Sequence, residues 1–177
     1  AIDRVEFAGY GLDAPSAAHA DFAGKDVKGE AVVWLGNAGP KDLDPNAYRR
    51  ALAGRNRYAT EQLRAAAAIG PEPDAGRAGA AAPPVVGGGR GNQIPAADFT
   101  TTQRLDSAVP PNVTASDTFF EFLFSRAPTK YGELKRWAEN KDPLPSFRLE
   151  GVTLTFNIEA DYEIVRTQLT HNVVAVV

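Results

Sequence analysis

Two short apolar segments near the start of the chain predict β-strands. Val5–Phe7 is the first, and Ala31–Leu35 is apolar throughout, which is typical of a strand buried on both faces of a sheet. The segment between them is rich in charged residues, and its glycines Gly24 and Gly29 occupy turn positions. The pattern therefore predicts two strands joined by a charged surface loop.

Helical signals follow these strands. Within residues 42–56, Asp44 is placed to cap a helix with Pro45 at its first position, and Gly54 is placed to end it. The alanine-rich segment 57–71 favours a second helix, which the Gly-Pro pair at its close would terminate.

Residues 97–106 are rich in threonine and predict a strand.

Aromatic residues indicate two helices after this strand. After it, Thr114 or Ser116 is placed to cap a short helix that is apolar on nearly every side and is therefore expected to be buried. Its large side chains are Phe119, Phe120, Phe122, Leu123 and Phe124. The next helix has Tyr131, Leu134 and Trp137 on one stripe, which predicts a surface helix with its aromatic face inward.

The last third shows the clearest strand periodicity. Val152, Leu154, Phe156 and Ile158 alternate with polar residues, as in a half-buried strand. Residues 162–169 are expected to return as the second arm of a hairpin. The apolar run at 172–177 is expected to be a strand that pairs with a part of the protein beyond this chain.

One segment differs from the rest in composition. Residues 72–93 consist mainly of Gly, Ala and Pro, and such a segment cannot offset its ordering entropy by packing. It predicts a long mobile loop at about 71–93 inside a single domain that spans residues 1–177. Gly87–Gly91 ("GGGRG") lacks the Lys-Ser/Thr that ends a phosphate-binding loop, so the interpretation is a flexible linker.

Size and charge narrow the class of protein. A chain of 177 residues with 44% hydrophobic residues is sufficient for one globular core. A formal net charge of -3 gives no basic face for nucleic acid, and no apolar run approaches the roughly 20 residues of a membrane span. Cysteine is absent, which excludes disulfides and thiolate chemistry. Methionine is also absent, even at position 1, so we expect the chain to be a piece of a longer reading frame.

The segment Val5–Pro15 ("VEFAGYGLDAP") resembles the entry to a nucleotide-binding loop, but its spacing does not fit. A dinucleotide loop needs a third glycine three residues after the second, at the start of a helix. Gly9 and Gly11 are followed by Ala14 and Pro15. The sequence instead indicates a strand end that turns into a loop.

Candidate catalytic residues are few. His19 and His171 are the two histidines, and neither lies in a His-Glu-x-x-His pattern. His19 and Asp21 have His-x-Asp spacing, which would place both side chains on one face of a strand. Because zinc needs three or four ligands and Asp13 and Asp26 are assigned to loops, we interpret His19 as a solvated loop histidine and predict no metal site.

No nucleophile is indicated either. The serines all fall in loops or at caps, outside any Gly-x-Ser-x-Gly setting; they are Ser16, Ser107, Ser116, Ser125 and Ser146. The carboxylates are scattered among lysines and arginines, as on a solvated surface, although pairing in three dimensions stays open. The sequence therefore predicts no catalytic, cofactor-binding or metal-binding residues.

Several segments, taken in order, resemble one known family. "FAGYGLDAP", "DFAGKDVKGEAVVWL", "RYATEQLRAAAA", "VTASDTFFEFLF" and "THNVVAVV" are similar to the protease-associated domain of bacterial di-zinc aminopeptidases, which are related to glutamate carboxypeptidase II and the transferrin receptor. In that family Gly-Tyr-Gly ends the first strand, where glycines permit a turn with positive φ beside a packed tyrosine. Gly9, Tyr10 and Gly11 match this pattern.

The resemblance implies a fold and a function. The fold is mixed α/β, of the swivelling β/β/α type, with a sheet or barrel of short strands flanked by three or four helices. The function is that of a non-catalytic accessory domain of an extracytoplasmic (secreted or periplasmic) zinc aminopeptidase, which covers the active-site cleft and modulates substrate access or protein interaction. Zinc would belong to the peptidase domain, which is the expected partner together with peptide substrate; no nucleic-acid or membrane partner is implied.

The resemblance has one departure and leaves alternatives open. The family follows its alanine-rich helix with Gly-Ala and a short apolar strand, whereas Ile69 is followed here by Gly70-Pro71, so this strand is not predicted. The alternatives are a stand-alone peptide- or glycan-binding module that uses an exposed strand edge, and a small hydrolase with dispersed carboxylates. Trp34 is expected in the core, and Trp137 either there or at a partner surface.

Overall fold

The computed structural model of the protein describes residues 1–72 and 110–157. Its strands are β1 (Val5–Ala8), β2 (Asp13–Ala14), β3 (His19–Ala20), β4 (Ala31–Val33), β5 (Ala67–Pro71), β6 (Asn112–Ala115) and β7 (Ser146–Arg148). Its helices are α1 (Arg49–Ala53), α2 (Arg55–Arg57), α3 (Asp117–Leu123) and α4 (Tyr131–Asn140), with a 3-10 turn at Pro15–Ala17 and a π-helical turn at Tyr58–Gln62.

Five of the strands form a mostly parallel sheet with the order β6-β5-β4-β1-β7. The β1–β4, β4–β5 and β5–β6 pairs are parallel, and β7 joins β1 in the antiparallel direction. In the described residues this sheet is open, and β2 and β3 form a separate two-stranded antiparallel sheet. The mixed α/β class that the sequence predicted is confirmed.

Both faces of the five-stranded sheet are covered. Val5, Phe7 and Val33 point to one face, where they pack with Phe120 of α3 and Leu134 of α4. The alternate positions point to the other face and pack against the segment around the π-helical turn; they include Ala8, Val32 and Ala68, together with Ala59. This period of two explains why β4 is apolar at every position: parallel strands between two layers have no solvated face.

The segment 57–71 corrects the sequence-based prediction of one long helix. Only its first part is helical, as the end of α2 and the π-helical turn, whereas Ala67–Pro71 is β5, paired with β4 and β6. Alanine favours helix intrinsically, but tertiary context overrides that preference. Ala67, Ala68 and Ile69 are all buried in the sheet, so these residues form a strand that the sequence analysis did not predict.

The helix predicted over 42–56 is shorter than expected. Asp44 Oδ1 accepts a hydrogen bond from the Asn46 N–H at 2.9 Å, which stabilises a turn, and α1 begins only at Arg49. The prediction that Gly54 ends this helix is confirmed, because Gly54 is its C-terminal capping residue.

The burial predicted for α4 agrees with the structure, whereas the burial predicted for α3 does not. Ser116 occupies the N-terminal capping position of α3, as one of the two expected choices, and Tyr131 and Leu134 are buried on α4 with Trp137 partly buried, as predicted. The expectation that α3 is buried all round is wrong, because Phe122 is 80% exposed. A seven-residue helix on a sheet buries one side only.

The segment 151–157 keeps the predicted alternation without forming a strand. Val152, Leu154 and Phe156 pack partly buried against the core, and Leu154 makes an isolated bridge to Ile2 through two backbone hydrogen bonds of 2.7 and 2.8 Å. Ile158, the hairpin arm at 162–169, the final run at 172–177, the strand at 97–106 and nearly all of the predicted loop at 71–93 lie outside the described residues. None of the helices described for this chain has the length and apolar character for crossing a bilayer.

Candidate functional site

The chain turns sharply after β1, at Gly9–Gly11. Gly9 and Gly11 have φ of +55° and +65°, and the Gly11 N–H donates to the Ala8 carbonyl oxygen at 2.7 Å. Tyr10 between them is fully buried, and its hydroxyl donates to the Asp142 carbonyl oxygen at 2.6 Å. The next element is β2 rather than a helix, so the predicted strand-to-loop corner is confirmed.

A cavity of about 680 Å³ lies where three parallel strands end. Its walls come from the residues after β4, the end of β5, the junction of β6 with α3, and one side of α4. Ligands of open α/β sheets characteristically bind at the carboxyl ends of the strands, which makes this cavity the candidate site. Its polar lining side chains are Asn37, Glu72, Ser116, Asp117, Thr118, Tyr131, Lys135 and Glu139.

Asp117 is the centre of hydrogen bonding in the cavity. The Tyr131 hydroxyl donates to Asp117 Oδ1 at 2.6 Å, and the Lys135 ammonium donates to Asp117 Oδ2. These two donors lower the pKa of Asp117, the Lys135 bond most. The same contact with Asp117 raises the pKa of Lys135, while burial, followed by Asp117, raises the pKa of Tyr131. Near neutral pH the carboxylate is therefore ionised, the ammonium charged and the phenol neutral.

The sequence analysis did not identify Asp117, Tyr131 and Lys135 as site residues, although the spacing of two of them was a usable signal. Tyr131 and Lys135 are four residues apart on α4, so they share a helix face. Asp117 directly follows the capping serine of α3. What the sequence could not supply is the contact between the two helices, which brings the three groups together. On the opposite wall, Asn37 Nδ2 donates to the Glu72 carbonyl oxygen at 3.1 Å and joins the loops after β4 and β5.

A buried arginine, Arg55, bonds to the corner after β1 and to the loop after β4. Arg55 is 4% exposed and donates to the carbonyl oxygens of Tyr10, Gly36 and Asn37, as well as Leu52, at 2.8 to 3.2 Å. Its guanidinium carbon lies 3.6 Å from the centroid of the Trp34 ring. Burial lowers the pKa of Arg55 to about 9, so the group remains charged at neutral pH and holds these carbonyls in place.

The structure places His19 differently from the sequence-based interpretation. His19 lies in β3 rather than in a solvated loop, with its side chain 22% exposed. Its Nε2 is 3.0 Å from Asp21 Oδ2, so the two side chains do meet. Asp13, also assigned to a loop by the sequence, is in β2, where it accepts hydrogen bonds from the Phe22 N–H and the Tyr58 hydroxyl.

Two glutamates also contradict the prediction that the carboxylates lie on a solvated surface. Glu6 and Glu30 are buried, and they pair with cations that reach across the sheet. Arg148 Nη2 donates to Glu30 Oε1 at 2.8 Å, and Lys25 donates to Glu6 Oε1. The Arg148–Glu30 contact therefore joins β7 to the residue before β4, and the Lys25–Glu6 contact joins the loop before β4 to β1.

The described residues also bear on metal binding and on the serines as nucleophiles. Within 1–72 and 110–157 no three His, Asp or Glu side chains come together in a way that could hold a metal ion, so these residues do not fit a zinc site. Ser16 Oγ is 2.6 Å from the Tyr48 hydroxyl oxygen. Ser146 Oγ donates to the Phe7 carbonyl oxygen and accepts from the Lys25 ammonium. Because Lys25 is a charged donor that is also paired with Glu6, none of these contacts supplies a base to activate a nucleophile. Ser107 and His171 lie outside the described residues.

Comparison with known proteins yields no relative. No protein-family model matches the chain, and neither the curated proteins nor the solved structures contain a match.

Proposed function

We propose that this chain is a non-catalytic accessory domain of an extracytoplasmic zinc aminopeptidase, with a protease-associated, swivelling β/β/α-type fold. In this role the domain covers part of the peptidase cleft and controls the entry of peptide substrates. A cover of this kind acts by restricting access and excluding water, without taking part in bond cleavage. Zinc belongs to the peptidase domain in this proposal.

The state of the polar groups in the cavity supports a binding role most directly. Asp117 is held ionised by Tyr131 and Lys135, and the factors that lower its pKa also make it a weak general base. Side chains in a cavity lining that keep one protonation state at neutral pH are suited to binding and positioning a polar ligand such as a peptide. The Gly9–Gly11 corner adds support, because its positive φ values and buried tyrosine follow the pattern on which the resemblance rests.

A binding experiment separates this proposal from a stand-alone module. Short peptides and cell-wall sugars are titrated into the purified chain by calorimetry. An accessory domain shows at most millimolar affinity alone, because most of the peptide's contacts come from the peptidase. A stand-alone module, which the 680 Å³ cavity favours as the second candidate, binds in the micromolar range and loses affinity in Lys135→Met. Arg136→Met is the matched control, since Arg136 is on the same helix but does not line the cavity.

A second experiment tests the peptidase partner. If the reading frame continues past Val177, the polypeptide encoded there is expressed separately and mixed with this chain, and cleavage of an aminoacyl chromogenic substrate with zinc is measured. The proposal expects a His-x-Asp pair soon after Val177, activity in the downstream polypeptide, and a changed KM for longer peptides when this chain is added. Turnover by this chain alone, abolished by mutation of one carboxylate, would establish the small hydrolase instead.

A further inference from the structure

The small sheet of β2 and β3 lies directly over the Gly9–Gly11 corner. Its register places Asp13 opposite Ala20 and Ala14 opposite His19. The Asp21 N–H donates to the Leu12 carbonyl oxygen at 3.1 Å, and the Leu12 N–H donates back to Asp21 Oδ2 at 3.0 Å. Asp21 therefore closes the end of this sheet through both its backbone and its side chain.

The contact between His19 and Asp21 requires a hydrogen on Nε2. His19 Nε2 and Asp21 Oδ2 are 3.0 Å apart, and two lone pairs that face each other at that distance repel. Both the cation and the neutral tautomer with its hydrogen on Nε2 meet this requirement, and only the cation adds attraction between opposite charges. The buried Nε2 has no other hydrogen-bond partner in the described residues, and its alignment with Asp21 is poor for a hydrogen bond. Attraction between the two groups consequently depends mainly on charge.

The surroundings of His19 favour its cationic form. The His19 ring meets the Tyr10 ring edge-on, with centroids 6.0 Å apart. Asp21, through its short contact and its charge, raises the pKa of His19 most, and the charge of Asp13 adds to this effect, while burial opposes both. Within the described part of the chain, the titratable and charged groups that interact in this cluster include Tyr10, Asp13, Asp21, Arg55, Tyr58 and Asp142. Among these groups Arg55 is the cation, and it interacts with Asp21.

We propose that His19 and Asp21 form a proton-dependent clasp, which holds the β2–β3 sheet closed over Tyr10 when His19 is protonated and loosens it when His19 loses the proton. The clasp is next to the cavity wall. Gly36 lines the cavity and packs on the Tyr10 ring so closely that it has no room for a side chain. Loosening of the sheet would thus release one support of the loop after β4.

Hydrogen exchange measures this opening directly. The protection factors of the Leu12, Asp21 and Phe22 amides are followed between about pH 5.5 and 8.5, after correction for the intrinsic rates. Since the pKa of His19 is raised above 6.5, protection is complete below about pH 6.5 and falls as the pH rises through that pKa. For an ion pair of this exposure the expected decrease is roughly two- to fivefold.

Variants distinguish the clasp from a general effect of pH. In His19→Gln the protection of these amides is expected to be low and independent of pH. Asp21→Asn keeps an oxygen for the Leu12 N–H, so the fold is retained and the NMR titration of His19 should shift to lower pH. Wild-type protection that does not change with pH, or an identical decrease in His19→Gln, would overturn the proposal.

Discussion

Trp34 shows how a single side chain imposes requirements on its neighbours. Its indole Nε1 donates to Asn56 Oδ1 at 2.6 Å, and Arg55 covers one side of the ring. Gly70 lies against the same ring, and a Cβ added there would overlap three of its carbon atoms. The sequence presented Gly70 as a helix terminator, but its structural role is to permit close approach of β5 to Trp34. The core position expected for Trp34 is confirmed.

This packing predicts that Gly70→Ala destabilises the protein. The methyl group must displace the indole or shift β5, and overpacking of this kind costs about 1–3 kcal/mol of unfolding free energy. Gly132→Ala is the matched control, because a Cβ at Gly132 meets no atom within 4 Å and alanine in a helix gains about 0.5–1 kcal/mol over glycine. Urea unfolding monitored by circular dichroism measures both; a Gly70→Ala variant as stable as the wild type would contradict the packing argument.

At the scale of elements, the connection from β4 to β5 is where sequence and structure differ most. The two helices predicted there are replaced by α1, α2 and a π-helical turn before β5 begins. Arg55, at the start of α2, bonds to the corner after β1 and to the loop after β4. These short pieces are too brief to be stable alone, so contacts through Arg55 hold them in place.

We predict that Arg55→Lys lowers the unfolding free energy by about 2–4 kcal/mol. Lysine cannot reproduce the planar fork that reaches several carbonyls at once, and each buried acceptor left unsatisfied costs about 1–3 kcal/mol. Arg57→Lys, two residues later, is the matched control: its side chain is 78% exposed and pairs with Glu61 at i+4, so the expected change is below about 0.5 kcal/mol. Equal effects of the two substitutions in denaturant titrations would show that Arg55 is not the organising contact.

At the scale of the whole molecule, tyrosine hydroxyls connect distant segments. Tyr10 bonds to the Asp142 carbonyl, Tyr58 to Asp13, and Tyr131 to Asp117. Burial is the first cause that raises the pKa of each; it raises the pKa of Tyr10 to about 12. Each hydroxyl must keep its proton in the folded protein in order to donate.

Alkaline unfolding is the resulting prediction. The unfolded chain loses tyrosine protons from about pH 10, whereas folded Tyr10 retains its proton to about pH 12. In that window the unfolded state binds fewer protons, so the unfolding free energy falls as the pH rises. Tyr10→Phe should make this decrease less steep and cost about 0.5–1.5 kcal/mol at pH 7, where its hydrogen bond is lost. Unfolding curves at pH 7, 10 and 12 test both effects; an unchanged slope would show that Tyr10 does not contribute.

Local sequence patterns were sufficient for features that depend on near neighbours. Short apolar runs indicated β1 and β4, the stripe on α4 indicated its buried face, and glycine spacing indicated the Gly9–Gly11 corner, because each depends on backbone geometry within a few residues. Tertiary contacts decided the rest. Ala67–Pro71 became a strand because β4 and β6 flank it, and Asp117, Tyr131 and Lys135 met because two helices pack on one face of the sheet. Such contacts join residues far apart in the chain, and no local pattern encodes them.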